Sequence, residues 1–402
     1  MKRIHDNNRL YNFLVPYVRE SFRWSYRKVE YRGLENIPKE GAIIYAPNHA
    51  NTLMDALAVL SIDDKPKVFV SRADIFKNKT VSEILHFLKM LPIHRIRDGV
   101  ESLSQNEAIM QQCIEVLTDG VPFCILPEGR HRPMHSLLPL KKGIARIAFG
   151  AWERVKDTMD VYIVPVGLEY EDYFEFRSRL LITAGKPIKL QDFVSSFPEG
   201  TSEPELYHKL LLELASRMKE TIVYLPDDER YKDVWDATLY IYGSRKSGSL
   251  QERREELQKI ADSLEWDGKN VLDSNGHKVH VKRHPKNGMH LFWRVLFLLI
   301  FSPLAGLASL SIAPALTAIA FIGPKLKDRT FINAIRYCAC YLLNPIILLV
   351  AGLIAVFFVR PWWIVPLIWA FSLAAPAFFF DWVNGVRQWV DDMILWKAAR
   401  RK

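Results

Sequence analysis

The chain has 402 residues, and its 54 lysines and arginines outweigh 45 aspartates and glutamates for a formal charge of +9. At about 150 residues per domain, this length allows two or three units, each able to bury a sizeable core. A hydrophobic share of 49% excludes an intrinsically disordered chain, and with so moderate a basic excess no nucleic-acid partner is expected.

Residues 1–34 lack an unbroken apolar core followed by a small-residue cleavage site, so no cleaved signal peptide is expected. Leu10, Phe13, Leu14, Tyr17 and Val18 recur at helical spacing among Arg9, Arg19, Arg23 and the aromatics Tyr11, Phe22, Trp24 and Tyr26. The pattern predicts a basic amphipathic helix, bent at Pro16, suited to an anionic membrane surface; the alternative is a helix packed on the neighbouring domain.

Residues 35–225 alternate short apolar runs (42–46, 68–70, 121–126, 161–166 and 180–183) with helix-like stretches. Strand and helix repeated in this way predict an α/β domain, a largely parallel sheet flanked by helices. Ser104 and Glu107 have capping-box spacing and predict the start of a helix that stops at Gly120. A Leu- and Ala-rich helix follows Pro204 to about Tyr224. Residues 226–289 are charge-dense and read as a polar helical connector ending in a turn-rich hairpin or loop.

Residues 290–402 differ in kind. Between Leu291 and Phe380 the only acid is Asp328, as in membrane-embedded chain. At about 1.5 Å per residue, stretches 337–359 and 361–380 can each cross a core of about 30 Å, and the short link at Arg360 and Pro361 predicts a tight transmembrane helical hairpin. The stretch 291–322, interrupted by Pro303 and Pro314, predicts a bent or re-entrant helix pair. Lys325, Lys327, Arg329 and Arg336 follow it, and Lys397, Arg400, Arg401 and Lys402 lie at the end. By the positive-inside preference, two hairpins would leave the soluble domain, this loop and the tail of an integral membrane protein all facing the cytoplasm. Cys113, Cys124, Cys338 and Cys340 form no CxxC pattern and are expected as reduced thiols.

Chemistry-bearing residues gather at the predicted strand ends. After AIIYA comes PNHANTLMD, residues 47–55. A His at a strand end with a carboxylate nearby can be a base with its orienter; the same letters also fit a polar turn with a capping Asn or Thr. On one continuous helix, six residues would set His49 and Asp55 about 120° apart, so the two meet only if His49 lies in the turn before the helix. No second His or Cys stands at ligand spacing, and no metal is expected. LPEGRHR at 126–132 follows another strand. Gly129 allows close backbone approach there, and Arg130, His131, Arg132 and Lys141 either suit a phosphate or form a solvated charge cluster. LPIHR would bring Arg95 toward the same strand ends, and IVPVG at 163–167 would line a wall.

In order and spacing, NHANTLMD, LPIHR, LPEGRHR and IVPVG, all within residues 48–167, resemble the glycerolipid acyltransferase superfamily, whose pattern is NH(x4)D, an apolar block ending in Arg, FPEGTRS and VPV. The resemblance covers about residues 35–225. Five residues rather than four separate His49 from Asp55, and Arg130, His131 and Arg132 stand where the family has Thr-Arg-Ser. Both departures look like the fungal glycerol-3-phosphate and dihydroxyacetone-phosphate acyltransferase branch, and they leave open which of the three basic residues replaces the family's Arg.

The resemblance implies a membrane-bound O-acyltransferase acting on a glycerol phosphate acceptor. His49 would take the hydroxyl proton while Asp55 fixes its tautomer. Arg95, Glu128, Gly129 and the segment 130–132 would hold the acceptor, with Glu128 accepting from its hydroxyl or locking the arginines, and Asn48 would be structural. Acyl-CoA or acyl carrier protein would be the co-substrate, with no further cofactor. Lysophosphatidate is the alternative acceptor. A reading of another class, an inactive lipid-binding scaffold, sits poorly with the presence of both His49 and Asp55, and no G-x-S-x-G elbow points to a hydrolase.

Overall fold

The computed structural model describes residues 3–93, 101–243, 248–281, 287–358 and 362–400. Its described residues build one eight-stranded sheet from β1 (Lys28–Arg32), β2 (Ala42–Pro47), β3 (Val68–Arg72), β4 (Met90–Ile93), β5 (Phe123–Cys124), β6 (Val161–Tyr170), β7 (Arg179–Ala184) and β8 (Ile188–Lys189). The order is β1-β7-β6-β2-β5-β3-β4, with β8 also on β6. Pairing is parallel except at β6–β7 and β6–β8.

Both faces of this sheet are covered, and the alternation of side chains decides which residue serves which core. Along β2, Ile43 and Tyr45 join one apolar cluster while Ala42, Ile44 and Ala46 join the other. The first cluster takes in α1 (Arg9–Trp24) and α2 (Leu53–Leu60). Next in the chain come α3 (Lys79–Phe87), α4 (Glu101–Thr118), α5 (Gly143–Val155), α6 (Leu190–Ser195) and α7 (Glu203–Lys219), of which α4, α5 and α7 fill the second cluster.

Three local expectations are corrected. Residues 28–32, inside the segment expected to be a surface helix, form edge strand β1, paired with β7. The run 121–126 pairs as a strand only at Phe123 and Cys124, because Pro122 has no N–H and the Val121 N–H turns back to Val116 O. Helix α4 already includes Ser104, so the spacing to Glu107 does not mark its start; Glu107 instead meets Arg146 of α5 at 3.0 Å. A capping box does occur elsewhere, Ser249 with Glu252, opening the connector's second helix.

That connector contains α8 (Tyr231–Tyr242), α9 (Leu250–Asp262) and a hairpin of β9 (Glu265–Trp266) with β10 (Val271–Leu272), folded around a small core of its own. Beyond it lie α10 (Gly288–Ser311), α11 (Ala313–Ile322), α12 (Ile332–Tyr337), a π-helical turn over Cys338–Leu343, α13 (Asn344–Ala355) and α14 (Ile364–Arg400). Gly288–Ser311, Arg329–Ala355 and Ile364–Ala399 are long and apolar enough to cross a membrane. The stretch 291–322 is indeed two helices, α10 and α11, parted at Ile312. The last span does not end near residue 380; it continues as one helix to Arg400.

Helices α10 and α14 run antiparallel, with Trp389 Nε1 donating to Leu291 O and Trp382 Nε1 to Leu298 O, both at 3.0 Å. Helices α13 and α14 form a second antiparallel contact, Trp369 Nε1 donating to Pro345 O at 3.1 Å; Arg360 and Pro361 of the link between them lie outside the described residues. Helix α1 packs on the domain through Tyr11, Val15 and Phe22, and leaves Leu10, Phe13 and Leu14 outward.

Candidate active site

The site forms where β2 ends and α2 begins. Asn48 binds the neighbouring strand at both ends of its amide: Leu168 N donates to Oδ1 at 2.7 Å and Nδ2 donates to Leu168 O at 3.2 Å. It is thus a strand clamp and not a helix cap. His49 follows in the turn ahead of α2, where it can meet Asp55, and its Nδ1 lies 2.7 Å from Asp55 Oδ2. A carboxylate can only accept, so Nδ1 carries the proton and Nε2 presents a lone pair when the ring is neutral.

Asp55 is fully buried, and four donors converge on its carboxylate, His49 Nδ1 among them. The N–H groups of Ala50 and Asn51 donate to Oδ2 at 3.0 and 2.7 Å, and the Tyr170 hydroxyl donates to Oδ1 at 2.7 Å. Burial, reinforced by the Asp55 charge, pushes the Tyr170 phenol well above its ordinary range, so it stays a donor. The turn is strained at Thr52, whose φ of 50° is unfavourable for a β-branched residue.

The segment LPEGRHR packs directly against this turn. Glu128 is buried, with Oε1 accepting from His49 N at 2.7 Å and Oε2 from Leu138 N at 2.8 Å. Burial pushes its carboxyl up, opposed by those two backbone donors. Both oxygens brace backbone, and among the described residues neither meets an arginine. Gly129 sits at φ 68°, and a Cβ there would touch Lys141 Cγ at 3.4 Å.

The three basic residues differ in surroundings. Arg130 is exposed. His131 lies edge-on to His49, ring centres 5.4 Å apart, and its Nε2 is 2.7 Å from Asp328 Oδ2. Arg132 donates its backbone N–H to His49 O at 2.9 Å and pairs with Asp227, while its Nε and Nη2 are buried with no hydrogen-bond partner among the described residues. Lys141 is exposed near Gly129. Arg95 lies outside the described residues.

Several participants have no motif to announce them. Tyr170 closes the strand that carries IVPVG, and Gly167 earlier in it has Thr221 O only 2.4 Å from where a Cβ would stand. His135, from the same loop as His131, is buried 3.1 Å from Glu169 and stacks 3.9 Å from Trp235. The apolar C-terminal region also reaches the site: Asp328 and Phe331 flank His131, and Asn333 Nδ2 donates to Tyr173 O. The nearness of His135 to His131 in sequence is a local hint; the others are contacts between distant segments.

An acyltransferase family model matches residues 28–169. Glycerol-3-phosphate O-acyltransferase 2 of Saccharomyces cerevisiae is 22% identical, over 59% of this chain and 44% of the relative. Glycerol-3-phosphate O-acyltransferase 1 of the same yeast is 31% identical over 106 residues, 26% of this chain and 14% of the relative. The chain thus matches less than half the length of either curated relative. Among solved structures, the 1-acyl-sn-glycerophosphate acyltransferase PlsC of Thermotoga maritima aligns with a TM-score of 0.37 and 21% identity, over 52% of this chain and 79% of that one. Over residues 28–169, a match that includes the His49–Asp55 pair, the chain is similar to the acyltransferase family.

Proposed function

We propose that the protein is a membrane-bound O-acyltransferase that moves a fatty acyl group from acyl-CoA or acyl carrier protein to a hydroxyl of glycerol 3-phosphate or dihydroxyacetone phosphate. The observation that carries this is the hydrogen bond between His49 Nδ1 and the fully buried Asp55, with the loop of Glu128 and the basic residues 130–132 braced against the same turn. His49 Nε2 takes the acceptor's hydroxyl proton as the oxygen bonds to the thioester carbonyl carbon. Collapse of the tetrahedral intermediate breaks the C–S bond, and the same proton passes to the departing thiolate. Asp55 holds the tautomer and stabilises the transient imidazolium. No covalent acyl-enzyme is required.

Arg130, Arg132 and Lys141, together with Arg95, bind the acceptor phosphate. Arg132 is the strongest of these choices, because its guanidinium has buried donors that a phosphate would satisfy. The names of the two yeast relatives support glycerol 3-phosphate as acceptor. Lysophosphatidate is the second reading, favoured by the packing of α12 from the apolar region against α2, which leads from the site toward lipid.

The catalytic domain faces the cytoplasm. Asp328 meets His131, and Asp381 meets Arg27 and Arg177 at 3.1 and 2.8 Å, so both ends of the α13–α14 hairpin return to the domain's side, where the basic loop 325–336 also lies.

The test is transfer of labelled palmitoyl groups from palmitoyl-CoA by the membrane-reconstituted protein, offered glycerol 3-phosphate and lysophosphatidate in parallel, with His49→Ala as control. Glycerol 3-phosphate should be acylated preferentially, and His49→Ala should lower turnover by at least about 10²-fold with the fold unchanged. Preference for lysophosphatidate would select the second reading, and transfer that survives His49→Ala would remove His49 from the mechanism.

A further inference from the structure

The apolar stretch from Leu291 to Phe380 contains a single acid, Asp328, and that acid is spent on the candidate active site. Its two oxygens have separate duties. Oδ1 caps the turn Arg329–Phe331, accepting from Thr330 N at 2.9 Å and from Thr330 Oγ1 at 2.6 Å, while Oδ2 lies 2.7 Å from His131 Nε2. Burial works against its charge, but the hydrogen bonds from the Thr330 hydroxyl and His131 hold the carboxyl down to about 2. An ionised oxygen at Nε2 requires a ring proton there, which in the neutral ring makes Nδ1 the acceptor, and Nδ1 makes no hydrogen bond among the described residues.

The ring is fixed from two further sides. Phe331, from the same turn as Asp328, meets it edge-on with centres 5.4 Å apart, and His49 meets it edge-on from the catalytic turn, also at 5.4 Å. The turn itself is anchored: Asn333 and Arg336 donate to the carbonyls of Tyr173 and Phe174 at 2.9 and 2.8 Å. Lipid anchoring alone would require neither an acid at 328 nor its capped geometry.

We propose that Asp328 is a positioning residue for the acceptor: it orients His131 against His49 so that Nδ1 faces the bound glycerol phosphate, and the membrane region thereby completes the site. This rests on the acyl-transfer reading above. It also assigns His131, rather than Arg130 or Arg132, as the group whose orientation depends on the C-terminal region.

The experiment is a double-mutant cycle on the full chain in phospholipid nanodiscs, with Asp328→Asn, His131→Ala and the double variant, varying glycerol 3-phosphate and palmitoyl-CoA separately. Asparagine keeps the Oδ1 cap on Thr330, so the unfolding midpoint of Asp328→Asn should stay close to wild type. Each single variant should raise the acceptor KM about tenfold with the donor KM unchanged, and the double variant should be no worse than the poorer single, since both remove one interaction. The inference is overturned if Asp328→Asn leaves the acceptor KM unchanged, if the two effects multiply, or if donor and acceptor KM move together, as a purely structural role would cause. A wild-type arm that acylates no glycerol phosphate acceptor defeats the reaction assignment itself, and this inference with it.

Discussion

Asn51 and Asn333 donate to the same backbone oxygen, the carbonyl of Tyr173, at 3.2 and 2.9 Å. One belongs to the turn that carries His49 and the other to α12 of the apolar region, so a single acceptor ties the His49 turn to the apolar C-terminal region. Both asparagines are buried. Asn333→Ala takes a donor from the Tyr173 carbonyl and an acceptor from Arg336, at an expected cost of about 1–3 kcal/mol. Its unfolding midpoint and turnover should fall together in lipid; an unchanged turnover would mean that the turn keeps its shape without α12.

Glu128 is a residue for which glutamine is not conservative. Each carboxylate oxygen accepts a backbone N–H, from His49 and from Leu138, and an amide would turn its NH₂ toward one of these donors. Glu128→Gln should therefore lose about 1–3 kcal/mol and displace the His49 backbone, lowering turnover with little change in acceptor KM. Thermal unfolding and steady-state kinetics on the same preparation check this. A selective rise in acceptor KM would instead mean that Glu128 contacts the acceptor.

What the sequence makes legible follows from the range of the interaction. Periodicity is local, so β2, β3, β6 and β7 can be read from it, and the requirement that His49 precede α2 follows from helix geometry alone. Edge strand β1 escapes because KVEYR alternates charge with apolar residues as an exposed ribbon does, and β5 is cut short by one proline. The capping-box letters at Ser104 mislead because the same spacing can fall inside a helix. The His131–Asp328 contact spans 197 residues, and no pattern in either segment specifies that pairing. The polar residues inside the apolar region were legible as exceptions, but their partners were set by packing.

Proline in the apolar region offers a last, quantitative case. Pro303 and Pro345 each lack the N–H that would bind the carbonyl four residues earlier, and in lipid such a carbonyl needs another donor. For Pro303 the donor is local: Ser302 Oγ binds Leu299 O at 2.8 Å. For Pro345 it comes from the other end of the chain, where the Tyr17 hydroxyl of α1 binds Tyr341 O just ahead of Pro345, inside the π-helical turn. Tyr17→Phe should therefore cost about 1 kcal/mol in the otherwise unaltered protein. In a Pro345→Ala background, the restored N–H can satisfy Tyr341 O, and the cost of Tyr17→Phe should shrink toward zero. The four unfolding free energies in lipid micelles decide it. Equal costs in both backgrounds would mean that Tyr17 contributes packing rather than the missing donor, and that the hydrogen bonds tying α1 to the apolar region are those of Tyr337 and Tyr341, whose hydroxyls donate to Val18 O and Trp24 O.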